Sequence, residues 1–534
     1  MNYIKNKIAA VTIKTGVLAV MLLTSCDKGF EEMNINPNAY TQPAVGPLFT
    51  NSLIRTVGTG TNDRNRTNIK FASGIMQYHA TLQNFWYGEK GIVNAQTGNF
   101  FETVYTSHLR ELMVIIKETE NKPDLVNQNG MAKIWRIFAL HRVTDAYGDV
   151  PYKEAVGAPE GKFKPAYDKQ SEIYPWMLQD LEAALKQLDP AKASFGAADV
   201  IYNGSVPKWK SFGYSLMLRL AMRLTKVDPA MAKEWAQKAI AGGLIQSNAD
   251  IALLRHAPNN ENTWNWDARE LKRESLPEGN QGLGLVKMGK TFLDLLQANN
   301  DPRIPFYMTL WEGNIDARQG QVIAQTTAAD KQKALPNGYD PNTIATAIPG
   351  WKNEMLKELS EPNTATIANF SAPSIILSYS EVEFLLAEAA LRGWGPGTAE
   401  EHYHKGIRAN MESSTLYPNS SVANVVITPA EIAEYIASHP LTGSDEEKFR
   451  QIHTQFYLAH YMYLDFFEAW SNWRRTGVPN LQTINYPLNA TGGQPLRRLM
   501  YSFEEKSLNT ASVENAIKNQ GPDLYTTRVW WDKQ

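Results

Sequence analysis

Lys208–Leu224, KWKSFGYSLMLRLAMRL, followed at Ala230–Ala241 by AMAKEWAQKAIA, decides how the chain folds. In the first segment Trp209, Phe212, Leu216, Leu220 and Met222 fall near one broad face, a spacing that predicts a buried helix. Asp228-Pro229 breaks and restarts the chain, and Gly242-Gly243 ends a second helix. Ala236 and Ala239 are small enough to let the two helices approach closely. The expectation is a helical hairpin.

Working outward, Ser380–Leu391 (SEVEFLLAEAAL), the turn Gly393-Trp394-Gly395-Pro396-Gly397 and Thr398–Met411 repeat that form. Ile134–Ala146 and Ser171–Leu188 make a third pair around Gly148-Asp149-Val150-Pro151. A single long helix is expected from about Asp445 to Arg475, and its aromatics, Phe456, Tyr457, Tyr461, Tyr463, Phe466, Phe467, Trp470 and Trp473, read as core. Strand-like alternation is sparse. The class is therefore all-α, with hairpins that resemble tetratricopeptide units in an array without a clean repeat period. Stretches 56–68, 255–282 and 311–372 are rich in Gly, Asn, Pro and Thr, and loops of that length are where a ligand is sought.

The chain has 534 residues, of which 43% are hydrophobic and 20% charged, ordinary values for a folded protein. Lys plus Arg total 53 against 55 for Asp plus Glu, so no basic excess points to nucleic acid. There is one Cys, which excludes an internal disulfide and a CxxC motif. It sits at Cys26, behind Lys5, Lys7 and Lys14, the apolar run Gly16–Leu23 and Leu23-Thr24-Ser25, the three parts of a secretory signal over residues 1–25. That run is far below the roughly 20 residues needed to span a bilayer. LTSC resembles the lipobox of bacterial lipoproteins, which implies cleavage before Cys26 and diacylation of it, an anchor strong enough to be stable. Asp27, Glu31 and Glu32 resemble the surface-export signal of lipoproteins in the Bacteroidota.

Phe30–Asn38 (FEEMNINPN), Val143–Ala155 (VTDAYGDVPYKEA), Trp209 with Ser215–Leu224, Ala387-Glu388-Ala389, Trp473–Pro479 (WRRTGVP) and Arg528–Asp532 (RVWWD) together resemble the SusD/RagB nutrient-binding lipoproteins, closest to the SusD-like branch. The matches run in order along essentially the whole chain. The resemblance implies one nutrient-binding domain over residues 26–534, with hairpins supporting a loop-rich ligand-binding half. It also implies attachment to the outer membrane and a partner, a TonB-dependent SusC-like barrel that the lipoprotein covers as a lid. The phrases themselves read as structural: Arg474 and Arg475 are expected to pair with carboxylates such as Asp145 or Asp149, and Trp530 and Trp531 to cover a helix seam.

Catalytic and cofactor chemistry is not found. HExxH and GxSxG are absent, and the glycine-rich run Gly279–Gly289 follows no strand and reads as a flexible turn. His402 and His404 point to different sides of a helix, and His453 and His460 lie too far apart to share an ion, so no metal site and no cofactor is expected. Glu381 and Glu388 are expected to bond a neighbouring helix. Binding chemistry fares better. Asn262–Asp267 (NTWNWD) sets Trp264 and Trp266 in a polar loop with Asn265, Asp267 and Arg269, a mixture that suits the apolar faces and hydroxyl rims of a sugar. In an extended loop the two rings would point to opposite sides, one stacking on ligand and one anchoring. Trp86 and Tyr87 in FWYG, and Trp311 in WEGN, offer the same mixture. The expected ligand is an oligosaccharide, with a peptide as the alternative. The competing functions are a surface-attached hydrolase of the same polymer and a structural transporter lid with little ligand affinity.

Overall fold

The computed structural model describes residues 44–57, 67–157, 161–275, 285–312, 325–421 and 423–533; Cys26 and its acidic neighbours lie outside them. The longer helices are α1 Val45–Val57, α2 Leu109–Thr119, α3 Val126–Tyr147, α4 Gln170–Gln187, α5 Val206–Arg223, α6 Pro229–Gly242, α7 Trp266–Ser275, α8 Lys290–Ala298, α9 Tyr379–Leu391, α10 Ala399–Glu412, α11 Pro429–Ser438, α12 Asp445–Tyr463, α13 Phe466–Thr476 and α14 Thr510–Gln520. α3 packs on α4, α5 on α6 and α9 on α10, the three hairpins expected from the periodicity. Their ends follow local chemistry. Asp228 accepts a hydrogen bond from the Met231 N–H at 3.0 Å and starts α6, while Thr398 and Glu401 form a reciprocal box that starts α10. Ala236 and Ala239 are wholly buried at the α5–α6 crossing. Gly406 does the same for α9 and α10, since a Cβ there would stand 2.6 Å from the Phe384 ring.

The helix expected over 445–475 is two. Leu464, at φ 50°, ends α12, and Asp465 caps α13 by accepting from the Glu468 N–H at 3.3 Å. The eight aromatics named for it, from Phe456 to Trp473, are all buried, as expected.

Strands are short. β1 His79–Thr81 pairs antiparallel with β3 Val286–Met288, and β2 Ala252–Leu254 with β7 Ser374–Leu377. β4 Met308–Trp311 lies between β5 Gln325–Thr326 and β6 Glu361–Pro362. They belong to the loop-rich part of the fold. One large apolar core runs through the hairpins, and a second, small one of Ala80, Leu82, Leu335, Ile344 and Leu359 sits in the loop-rich part. No helix among the described residues is long and apolar enough to cross a membrane.

Buried charges stitch the hairpins together. Glu381 on α9 takes Arg219 of α5 on both oxygens, at 2.6 and 2.7 Å, and Glu388 binds Arg475 of α13 at 2.7 Å, so both acids bond a neighbouring helix. Arg474 departs from expectation: it donates to the Asp145 backbone carbonyl, while the Asp145 carboxylate accepts from the Trp531 indole at 3.0 Å and faces Arg223 at 3.3 Å. Arg475 pairs with a carboxylate, as expected, and that carboxylate is Glu388. His453 and His460 meet different acids, Glu388 at 3.0 Å and Glu381 at 3.5 Å.

Candidate ligand-binding site

α7 begins inside the stretch expected to be loop, because Asn265 caps it. The Asn265 Oδ1 accepts from the Ala268 N–H at 3.1 Å, its own N–H donates to the Phe370 carbonyl at 2.7 Å, and its Nδ2 donates to the Ala372 carbonyl at 2.9 Å. This one buried side chain therefore starts the helix and ties it to the segment after β6. Trp266, in the first turn, is 5% exposed, donates its indole N–H to the Glu261 carbonyl at 2.8 Å and carries the Arg269 guanidinium 4.4 Å over its ring. Asp267 is buried and accepts from the Asn68 amide at 3.1 Å. Asn265, Trp266 and Asp267 thus build the site and present no ligand face.

Trp264 is different. It is half-buried, with its ring centroid 4.6 Å from that of Phe370 at 34°, and its indole N–H donates to the Pro258 carbonyl at 3.1 Å. The two tryptophans do not oppose each other as an extended loop would require: a helix starts between them, and their centroids lie 6.3 Å apart. Both indole N–H groups hold down the loop over 256–264.

Beside Trp264 and Phe370 runs the outward ridge of α7. Arg269 and Lys272 are half-buried and Arg273 is exposed, with the Lys272 ammonium 4.9 Å over the Phe370 ring. Burial, then the neighbouring Arg273, pulls Arg269 below its ordinary value. On the other flank Lys70 pairs with Glu270 at 3.4 Å and Glu274 at 3.3 Å and covers the Phe85 ring at 5.5 Å. α7 therefore brings the 85–87 segment and the Trp264 loop to one aromatic and basic surface.

Within that segment Trp86 is 0% exposed and belongs to the core, which removes it as a ligand platform. Tyr87 is half-buried against Phe71 at 5.4 Å. Trp311 is half-buried on β4, aimed by a bond from its indole N–H to Glu361 at 2.6 Å, and Glu361 is itself paired with the buried Lys287.

The 256–264 loop also walls an open cleft of about 640 Å³, lined among others by Val200, Asn203, Leu253, Arg255, Asn262 and Thr263. Its far wall is rigid. The buried Asp199 accepts from the N–H groups of Ile201, Tyr202 and Gly204 and from the Trp209 indole, at 2.6–3.1 Å. His256, between the two, is pulled by burial to about 4 and stays neutral near neutral pH, with Nε2 2.8 Å from the Ser374 hydroxyl. Phe370, Asn203 and Arg255 were not singled out by the sequence. The turn residues Asn203-Gly204 were the available signal for the cleft wall, whereas Phe370 lay unmarked in a long irregular stretch.

Among the described residues no three His, Cys, Asp or Glu side chains cluster to hold a metal ion. His402 pairs with Glu383 at 2.6 Å, and His404 lies 3.2 Å from the His439 carbonyl.

Comparison with known proteins agrees with this architecture. Residues 37–502 match the SusD-like family described as starch-binding and associating with the outer membrane. A chitin-binding protein of known structure is 29% identical, with a TM-score of 0.76 over 92% of this chain and 100% of its own. A SusD-like protein from Bacteroidetes AC2a is 24% identical with a TM-score of 0.79, again over 92% and 100% of the two chains. A chitin-binding SusD homologue from Flavobacterium johnsoniae is 24% identical with a TM-score of 0.72 over 92% and 99%. No functionally curated protein matches. With hairpins, loop-rich part and sequence match all in agreement, the chain belongs to the SusD-like family.

Proposed function

We propose that this protein is a lipid-anchored, outward-facing outer-membrane lipoprotein that binds an oligomeric glycan and passes it to a TonB-dependent SusC-like transporter. The observation that carries the ligand class is the half-buried Trp264–Phe370 pair bordered by Arg269 and Lys272: ring faces for the apolar faces of sugars, charged donors for their hydroxyls. The 29% identity to a chitin-binding protein makes β-linked N-acetylglucosamine oligomers the first ligands to try. Titration with such an oligomer is expected to show binding without release of shorter products. Trp264→Ala is expected to weaken it by very roughly five- to two-hundredfold, equivalent to about 1–3 kcal/mol by analogy with ring stacking on bases. Affinity equal to wild type would remove Trp264 from the site, and product release would favour the hydrolase.

Anchoring rests on the lipobox alone. Cys26→Ala is expected to abolish acylation and shift the protein from the membrane to the soluble fraction, whereas wild type extracted in detergent co-purifies with a much larger barrel protein. Persistent lipid labelling of the variant, or recovery of the wild type alone, would refute the respective half of the reading.

A further inference from the structure

A cavity of about 420 Å³ lies between the ends of α8 and α11 and the helices α10 and α12. Its lining includes Asn299, Tyr403, His439, Arg450 and Thr454. Tyr403, on α10, is 2% exposed, yet its hydroxyl makes no hydrogen bond with any described residue and its oxygen is not sealed from the cavity. Burial pushes this hydroxyl above its ordinary value, so it is a proton donor at neutral pH. A donor held this deep without an acceptor is met by whatever enters the cavity.

The walls describe the missing acceptor. Arg450 and Thr454 stand one turn apart on α12 and both line the cavity. Thr454 is half-buried, and its hydroxyl also lacks a partner among the described residues. Arg450 is exposed at the rim. Its guanidinium makes one long bond, 3.3 Å, to the Asn480 side chain and no ion pair with any described residue. No carboxylate lines the cavity. The acids around it are committed elsewhere: Asp301 to Arg303 at 2.5 Å, Glu400 to the Leu441 N–H at 3.2 Å and Glu447 to the Ser444 N–H at 2.7 Å. His439 and Asn299 meet each other at 3.2 Å and add no free acceptor. The charge of the lining is therefore one-sided.

Donors without acceptors, beside a cation without a counter-ion, call for an oxyanion. We propose that this cavity binds a small molecule through a carboxylate or phosphate group, which takes the Arg450 guanidinium on one side and the hydroxyls of Tyr403 and Thr454 on the other. The planar fork of arginine suits either group. The volume lies within the range for small-molecule sites. No residue of the Trp264 surface takes part, so the site stands or falls independently of glycan capture there.

Calorimetric titration with glucuronate and with glucose 6-phosphate, and with glucose as their uncharged counterpart, tests this on the wild type, Tyr403→Phe and Arg450→Gln. The two anions distinguish a carboxylate site from a phosphate site. Tyr403→Phe removes one oxygen and Arg450→Gln alters an exposed side chain, so both variants are expected to fold. The wild type is expected to bind at least one anion about tenfold or more tighter than glucose. Each variant is expected to weaken that binding about tenfold, the order for losing one hydrogen bond to a charged group. Binding of neither anion, or glucose bound as tightly as both, would overturn the proposal. So would anion affinity that survives either substitution unchanged, an outcome that puts the anion elsewhere on the protein and leaves the glycan-binding surface standing.

Discussion

Glu381→Leu is expected to lower the unfolding free energy by about 3–5 kcal/mol, the range for removing one partner of a buried ion pair. Glu381 and Arg219 are 2% and 1% exposed, so water cannot replace the lost contact. Arg219 would be left facing Glu468 at 3.6 Å and the Ile376 carbonyl at 3.2 Å, a poorer arrangement than the two-pronged pair it loses. The double variant Arg219→Met/Glu381→Leu is expected to regain part of the loss, because both charges of the pair go together and Glu468 keeps Arg223 at 2.8 Å. Urea unfolding of the three proteins decides the point. A single variant within about 1 kcal/mol of wild type would contradict it, since ordinary surface substitutions fall inside that margin.

The same pair fixes a pH dependence. Burial alone would raise Glu381, but Arg219 overrides it and brings the carboxyl from 4.5 down to about 2. A carboxyl depressed in the folded state stabilises fully above its unfolded value. That stabilisation drains away as pH falls from about 4.5 through about 2. His79, lowered by burial to about 3, adds acid sensitivity of the same sign: its neutral form is favoured on folding, so stability is lost as pH falls below about 6.5 toward 3. The Glu381→Leu variant is expected to show a shallower loss of stability than wild type below pH 4.5.

Trp266→Ala is the second large effect, with an expected loss of about 3–5 kcal/mol, the range for deleting a buried aromatic side chain. The change opens a hole beneath Arg269 and frees the Glu261 carbonyl, so α7 loses its first turn's packing and the 256–264 loop one of its two indole ties. Glycan affinity is expected to fall with stability. Trp264→Ala, by contrast, removes a half-buried ring and is expected to change affinity with a much smaller change in melting temperature. Equal melting temperatures for the two variants would show that the division between anchor and platform is wrong.

The hairpins were legible because their cause is local. Apolar spacing in 208–224 and the Asp228-Pro229 break place α5 and α6 within two residues of the observed bounds. The division of α12 from α13 carried a local signal too: Asp465 and Glu468 stand at the spacing of a helix cap, hidden by uninterrupted aromatic periodicity on either side. α7 was obscured for another reason. Charged residues at 267, 269, 270, 272 and 273 swamp the apolar Trp266, Ala268 and Leu271, and the cap at Asn265 draws its support from Phe370 and Ala372, far along the chain.

The candidate site was legible as a place to look, not in its detail. Tryptophan among polar residues marks a loop where rings and hydrogen-bonding groups meet. Which ring stays open, however, depends on partners such as Phe370 and Glu261, and no spacing reveals them. Trp86 shows the limit most plainly: its neighbours Phe85 and Tyr87 keep partial exposure while it is wholly buried.

The small apolar nucleus of Ala80, Leu82, Leu335, Ile344 and Leu359 bears on descent as well as on packing. Substitutions at sites that share no partners add their costs without compounding them. Loop-rich segments braced on this nucleus can therefore accumulate changes while the charged seams between hairpins remain untouched. A change in those segments therefore costs only what it costs locally, and the scaffold of hairpins does not have to be re-solved for it.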